Sequence, residues 1–111
     1  MEVTFATRNM QKRCSDDKAM QKQWGKKLAR RLKQRLMELL AATTLQDIRR
    51  TPPARCHELT GNRKGQLSVD LEHPYRLIFK PDHSPMPCKN DGGLDWGSVT
   101  KIVIIEIVDT H

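Results

Sequence analysis

Aromatic residues are scarce in this sequence, at 5% of the chain, and no apolar stretch approaches the roughly 18 residues that a membrane-spanning helix needs. Cysteine is limited to Cys14, Cys56 and Cys88, an odd number without CxxC spacing, which argues against a disulfide framework or a zinc site. The opening stretch MEVTFATRNM has neither the apolar run nor the small-residue cleavage site of a secretory signal, so a cytoplasmic protein is expected. Also missing are a P-loop, a Rossmann glycine pattern, a paired-carboxylate cluster, internal repeats and low-complexity tracts. Nothing in the chain therefore calls for a nucleotide, a metal or another cofactor.

What is present is positive charge. Lys and Arg number 20 against 13 Asp and Glu, giving a formal net charge of +7. Such a balance favours polyanionic partners, nucleic acid first, over acidic small substrates. A membrane-surface protein of this charge would also carry an exposed apolar helix face or a lipidation signal. Neither is evident, so no membrane partner is expected. The 111 residues fit a single domain, 1–111, with a modest core that gains stability when a partner binds.

Along the chain, Glu2 to Ala6 alternates polar and apolar side chains and reads as a short strand with Val3 and Phe5 inward. Ser15-Asp16-Asp17 then supplies a helix cap. Met20, Trp24, Leu28, Leu32, Leu36 and Leu40 recur every fourth residue, with Leu39 between, as one apolar ridge on a helix to about Ala42. Gly25 leaves room for a kink or a break. Lys18, Lys22, Lys26, Lys27, Arg30, Arg31, Lys33 and Arg35 surround the other faces with almost no acid among them, a pattern that suits an anion-facing surface or an ordinary solvated one.

A capped turn from Thr44 through Asp47 is closed by Pro52-Pro53. The periodicity then becomes two. Gln66–Leu71 and Tyr75–Lys80 form a hairpin turned by Glu72-His73-Pro74, and Pro81–Ser98 is a long loop. Lys101–Val108 is apolar on both faces, so a central strand covered on both sides is expected. The sum is an α+β domain with helices packed on a mostly antiparallel sheet.

Four histidines are candidates for chemistry: His57, His73, His83 and His111. His73 and His83 lie in turn and loop context and read as ordinary polar residues. His57 precedes a glycine-bounded basic turn, Gly61 to Gly65, whose Arg63 and Lys64 suit phosphate oxygens as well as a plain hairpin tip. Arg76 shares a strand face with Ser68 and Asp70, where it either pairs with Asp70 or holds a phosphate. Cys56 and His57, adjacent on a strand, point to opposite faces and cannot form a nucleophile pair. Base, acid and cation together make an inventory for RNA cleavage without metal.

The stretch CHELTGNRKGQLSVDLEHPYRLIF, followed at the end by VTKIVIIEIVDTH, resembles the HigB-like branch of the RelE superfamily, the toxins of type II toxin–antitoxin pairs, also called plasmid maintenance killer proteins. The resemblance implies a RelE-like fold, an N-terminal strand and helices packed on a curved sheet. It further implies a ribosome-dependent endoribonuclease that cuts mRNA in the decoding site and a cognate helix-turn-helix, HigA-like antitoxin. On it, His57 and His111 match the proton-transfer histidines, Asp109 the terminal acid, and Arg76 the arginine at the scissile phosphate. Arg63 and Lys64, with Lys26, Lys27, Arg30 and Arg31 on the helix, would contact RNA. Thr110 stands where the family commonly has tyrosine, removing an aromatic platform for an mRNA base. The rival expectation is a non-catalytic toxin of the same fold that blocks a ribosomal or protein target, as ParE-like members do.

Overall fold

The computed structural model describes residues 1–109. Its elements, in chain order, are β1 (Glu2–Phe5), α1 (Arg8–Arg13), α2 (Asp17–Ala41), β2 (His57–Glu58), β3 (Leu67–Asp70), β4 (Tyr75–Pro81) and β5 (Lys101–Asp109). The strands form one sheet in the order β1-β5-β4-β3-β2. Only β1 and β5 run parallel; the other pairs are antiparallel. The α+β class and RelE-like layout expected from the sequence therefore hold.

Local chemistry explains the helices. Thr7 caps α1 by accepting the Met10 N–H, and Met10 anchors this short helix in the core. The sequence pattern did not separate it from α2. Asp16 caps α2 through the Ala19 N–H. At the other end the Met1 ammonium donates to the carbonyls of Leu39, Leu40 and Ala42, placing positive charge at the negative pole of the helix. Leu28, Leu32, Leu36 and Leu39 of α2 bury against Leu67, Val69, Leu77, Phe79, Ile102 and Ile104 of the sheet.

Two residues depart from the expected ridge and basic face. Leu40 is exposed, because the core-facing stripe drifts and Leu39 takes its place. Arg35 is 1% exposed and belongs to the interior. Its Nε donates to the Asp70 carbonyl at 2.7 Å, one terminal nitrogen to the Pro53 carbonyl at 3.1 Å, and the other to Glu38.

Gly25 interrupts α2 with φ 80° and ψ 164°, a conformation essentially confined to glycine. The helix rule that favours Ala over Gly by about 1 kcal/mol therefore reverses sign here. We predict that Gly25→Ala destabilises the fold by about 1–3 kcal/mol in thermal melts. A Cβ there meets nothing within 4 Å, so the loss is backbone strain alone.

The last strand was expected to be covered on both sides. It is interior to the sheet, yet the helices cover one face only, with Ile102 and Ile104 buried and Val103, Ile105 and Val108 half-buried. A register shift explains the double apolar pattern. Phe79 pairs with Ile104 and Ile78 with Glu106, so Ile105 has no partner and the strand's alternation inverts beyond it.

Burial pushes the Cys56 thiol up to about 12, with Glu58 adding to the rise and Arg50 opposing it, and burial raises Cys14 to about 11. Both stand above the ordinary value of 9.0, so their contribution to stability is complete below that pH and is lost as pH rises toward 11–12. The melting temperature is expected to fall between about pH 9 and pH 11. At about pH 8 iodoacetamide should label exposed Cys88 while Cys56 stays silent until unfolding.

Candidate active face of the sheet

The face of the sheet turned away from the helices carries the polar row that the sequence singled out. His57, Ser68, Ile78 and Glu106 are successive cross-strand partners on β2, β3, β4 and β5. Asp70, Arg76 and Val108 make the next row on the same face, two residues along. Cys56, by contrast, is fully buried on the core side, so the two neighbours point apart as strand geometry requires.

His57 is exposed, and its Nδ1 lies 2.9 Å from the Arg55 carbonyl. A carbonyl only accepts, so Nδ1 donates to it and Nε2 is the ring nitrogen left for a ligand. Arg55 aims this carbonyl from a left-handed backbone, φ 47°, which no sequence signal announced.

Arg76 was open between pairing with Asp70 and holding a phosphate. It does face Asp70, but its Nε is 3.5 Å from Oδ1, and that oxygen has no hydrogen-bond partner among the described residues. Arg55 approaches the other oxygen at 3.6 Å. Contacts this long neutralise charge without engaging the guanidinium donors. Arg76 thus faces Asp70, and its N–H groups make no hydrogen bond among the described residues.

Asp109 registers with Tyr75, and this gives it the parity of Leu77 and Ile107 rather than that of Arg76 and Val108. It does not converge with Arg76 on the open face. Thr110 and His111 lie outside the described residues.

The remaining basic candidates divide. Lys64 is exposed, while Arg63 turns back over the sheet to Glu106 at 2.6 Å and to Gln66 at 3.0 Å. Lys27 and Arg31 of α2 both approach Glu72 in the hairpin turn, at 3.4 and 3.8 Å, an acid supplied from outside the helix. Lys26 and Arg30 are exposed and make no ion pair among the described residues.

The long loop after β4 acts as a brace for β2. Its Trp96 is buried, donates Nε1–H to Glu58 at 3.1 Å, and carries the Arg50 guanidinium 4.0 Å above its ring. His83, read from sequence as an ordinary polar residue, accepts the Thr100 and Lys101 N–H groups through Nε2 and fastens the loop to β5. We predict that Trp96→Phe, which keeps most of the packing, lowers stability by about 1 kcal/mol in urea unfolding through loss of the indole donor and a weaker cation–π contact. Sequence reasoning missed Glu58, Trp96, Asp70 as a double arginine partner, and Glu106; only Trp96, an aromatic inside a polar loop, stood out by type.

No helix among the described residues is long and apolar enough to cross a membrane, and no group of three His, Cys, Asp or Glu among them is placed to hold a metal ion. A family model for HigB, the RelE-like toxin of type II toxin–antitoxin systems, matches residues 3–86. The chain belongs to this HigB-like toxin family, and as a type II toxin it has an antitoxin as partner. Neither the curated proteins nor the solved structures give a match.

Proposed function

We propose that this toxin is a ribosome-dependent mRNA endoribonuclease working by general acid–base chemistry without a metal. The observation that carries the reading is the pairing on one open sheet face of an imidazole held through Nδ1, with Nε2 left for a ligand, and an arginine with uncommitted donors. His57 exchanges a proton with the reacting RNA, and Arg76 neutralises the phosphorane. His111 is proposed as the second proton carrier and Asp109 as the acid that tunes it, both on the family resemblance. The attacking 2′-OH loses its proton as the O2′–P bond forms. The P–O5′ bond breaks as O5′ gains a proton, leaving a 2′,3′-cyclic phosphate and a 5′-OH.

The outward cations Lys26, Arg30 and Lys64 suit ribosomal RNA or the message. A HigA-like helix-turn-helix protein is the proposed antitoxin and the cytoplasm the proposed site of action. The parity of Asp109, away from Arg76, favours one alternative: a toxin that occupies its target without cutting. The chemistry of the cut ends decides between them. Fragments from a translating extract should carry cyclic phosphate and 5′-OH termini; intact message under arrested translation would instead identify a blocker.

A further inference from the structure

The sheet has a free edge at β2, and the register gives its direction. Leu59 donates its N–H to the Gln66 carbonyl, in line with the pairs His57–Ser68 and Glu58–Leu67, so Glu58 and Leu67 form the pair that exchanges no hydrogen bond. The Glu58 N–H and C=O therefore point away from β3, and by the same alternation so does the Thr60 N–H. Cys56, two residues earlier, points the same way, and the Arg49 carbonyl takes its N–H from that side at 2.8 Å. The cover stops there. Glu58 and Thr60 are exposed, and these three outward backbone groups have no hydrogen-bond partner among the described residues.

Residues of this edge also line a cleft of about 750 Å³. Leu59, Leu67, Pro81, Met86 and Leu94 make its lining largely aliphatic, and Met86 is 42% exposed. The wall is built in advance. Cys88 and Leu94 form a β-bridge within the long loop, and buried Trp96 ties that loop to the Glu58 carboxylate. We propose that the antitoxin docks here as an extended segment, its backbone pairing with Glu58 and Thr60 and its aliphatic side chains filling the cleft. The inference rests on membership of the toxin family, which supplies the partner, and not on the nuclease reading.

The chemistry selects a polypeptide over RNA. A free strand edge offers donors and an acceptor at strand spacing, which another extended chain matches and a phosphate-rich strand, mostly acceptors, does not. Pockets beside such an edge then read the side chains of the added strand. The charged residues that line the cleft are Glu58 and Lys64, one of each sign, so the lining does not share the +7 of the whole chain that draws polyanions. No aromatic side chain lines it to stack a base.

The lining specifies the occupant further. Glu58 already accepts the Trp96 indole N–H at 3.1 Å, whereas Lys64 is exposed and makes no ion pair among the described residues. The docking segment should therefore carry an acid beside its aliphatic residues, to meet Lys64. Cys88, Leu94 and Trp96 lie beyond residues 3–86, the stretch that the family model matches. This wall is where the toxin would tell its own antitoxin from those of other members.

The test titrates the full chain with its purified cognate antitoxin. In the complex, amide hydrogen exchange read by NMR should slow by about a hundredfold at Glu58 and Thr60, and alkylation of Cys88 by iodoacetamide by about tenfold. Met86→Glu sets a charge on the aliphatic wall and should weaken antitoxin binding about a hundredfold, and Lys64→Glu about tenfold. Met37→Glu, at an exposed apolar site on α2, is the control and should leave the affinity unchanged. Free Met86→Glu toxin should arrest translation in extract at the wild-type dose, yet escape the antitoxin dose that silences the wild type. Three results would overturn the proposal. Affinity lost in Met37→Glu and kept in Met86→Glu would move the antitoxin to α2. A folded Met86→Glu toxin that no longer arrests translation would give the cleft to RNA. Protection of the Glu58 amide that grows with concentration in toxin alone would give the edge to a second copy.

Discussion

Replacing Arg76 by alanine is expected to slow mRNA cleavage by about 10²- to 10³-fold while leaving the protein folded. On the proposed mechanism the phosphorane formed by 2′-OH attack gains negative charge, and a guanidinium already held on that face would not have to reorganise during the reaction. The contact to Asp70 supplies the aim: at 3.5 Å it orients Arg76 without filling its donor positions. Because the side chain is 36% exposed, the ion pair itself adds no more than about 1 kcal/mol to stability. Thermal melts should therefore move little while single-turnover rates collapse. Lysine at this position keeps the charge but loses the fork, and should fall between the two.

The largest effect on stability is expected at Arg35. Removing its side chain leaves the Asp70 and Pro53 carbonyls without their donor in a buried site and opens a cavity where a long side chain stood. Arg35→Ala should cost about 3–5 kcal/mol in urea unfolding. Alanine at Lys27 or Arg31, whose partner Glu72 is at the surface, should cost no more than about 0.5 kcal/mol each. Arg35 also ties α2 to the residue whose carboxylate aims Arg76. A milder variant such as Arg35→Lys is therefore expected to show its damage first in cleavage and only later in melting.

These two arginines mark what a single sequence reveals and what it hides. Arg76 was legible because period-two alternation puts it opposite Asp70 on one strand face, and the observed register pairs those two residues. The helix ridge, the hairpin and the Asp16 cap were legible for the same reason, since each follows from local spacing. Arg35 was not. Within α2 it looks like one more lysine or arginine on a basic helix, and only the Asp70 and Pro53 carbonyls, brought in from distant parts of the chain, give it an interior place.

Gly25 was ambiguous because a mid-helix glycine has the same sequence appearance whether or not the backbone needs it. The faces taken by Glu106 and Asp109 were hidden for one physical reason. A bulge leaves no trace in composition, so the apolar run Ile102 to Val108 looked like a strand buried on both sides. In the fold it is a strand whose inner and outer faces exchange at Ile105. The long loop was equally opaque. Its work is done by one indole reaching Glu58, a contact between residues 38 positions apart.

On the proposed function, His57 takes part in proton transfer on the ribosome. Primer extension on an mRNA translated in extract, comparing wild type with His57→Ala and His111→Ala at matched ribosome occupancy, tests it most directly. Discrete cuts at codon positions are expected from the wild type and are expected to vanish in the His57 variant, with the His111 variant reporting whether His111 carries the second proton. Cuts that persist at the wild-type rate without His57, or an uncut message beneath ribosomes saturated with wild-type toxin, would contradict it.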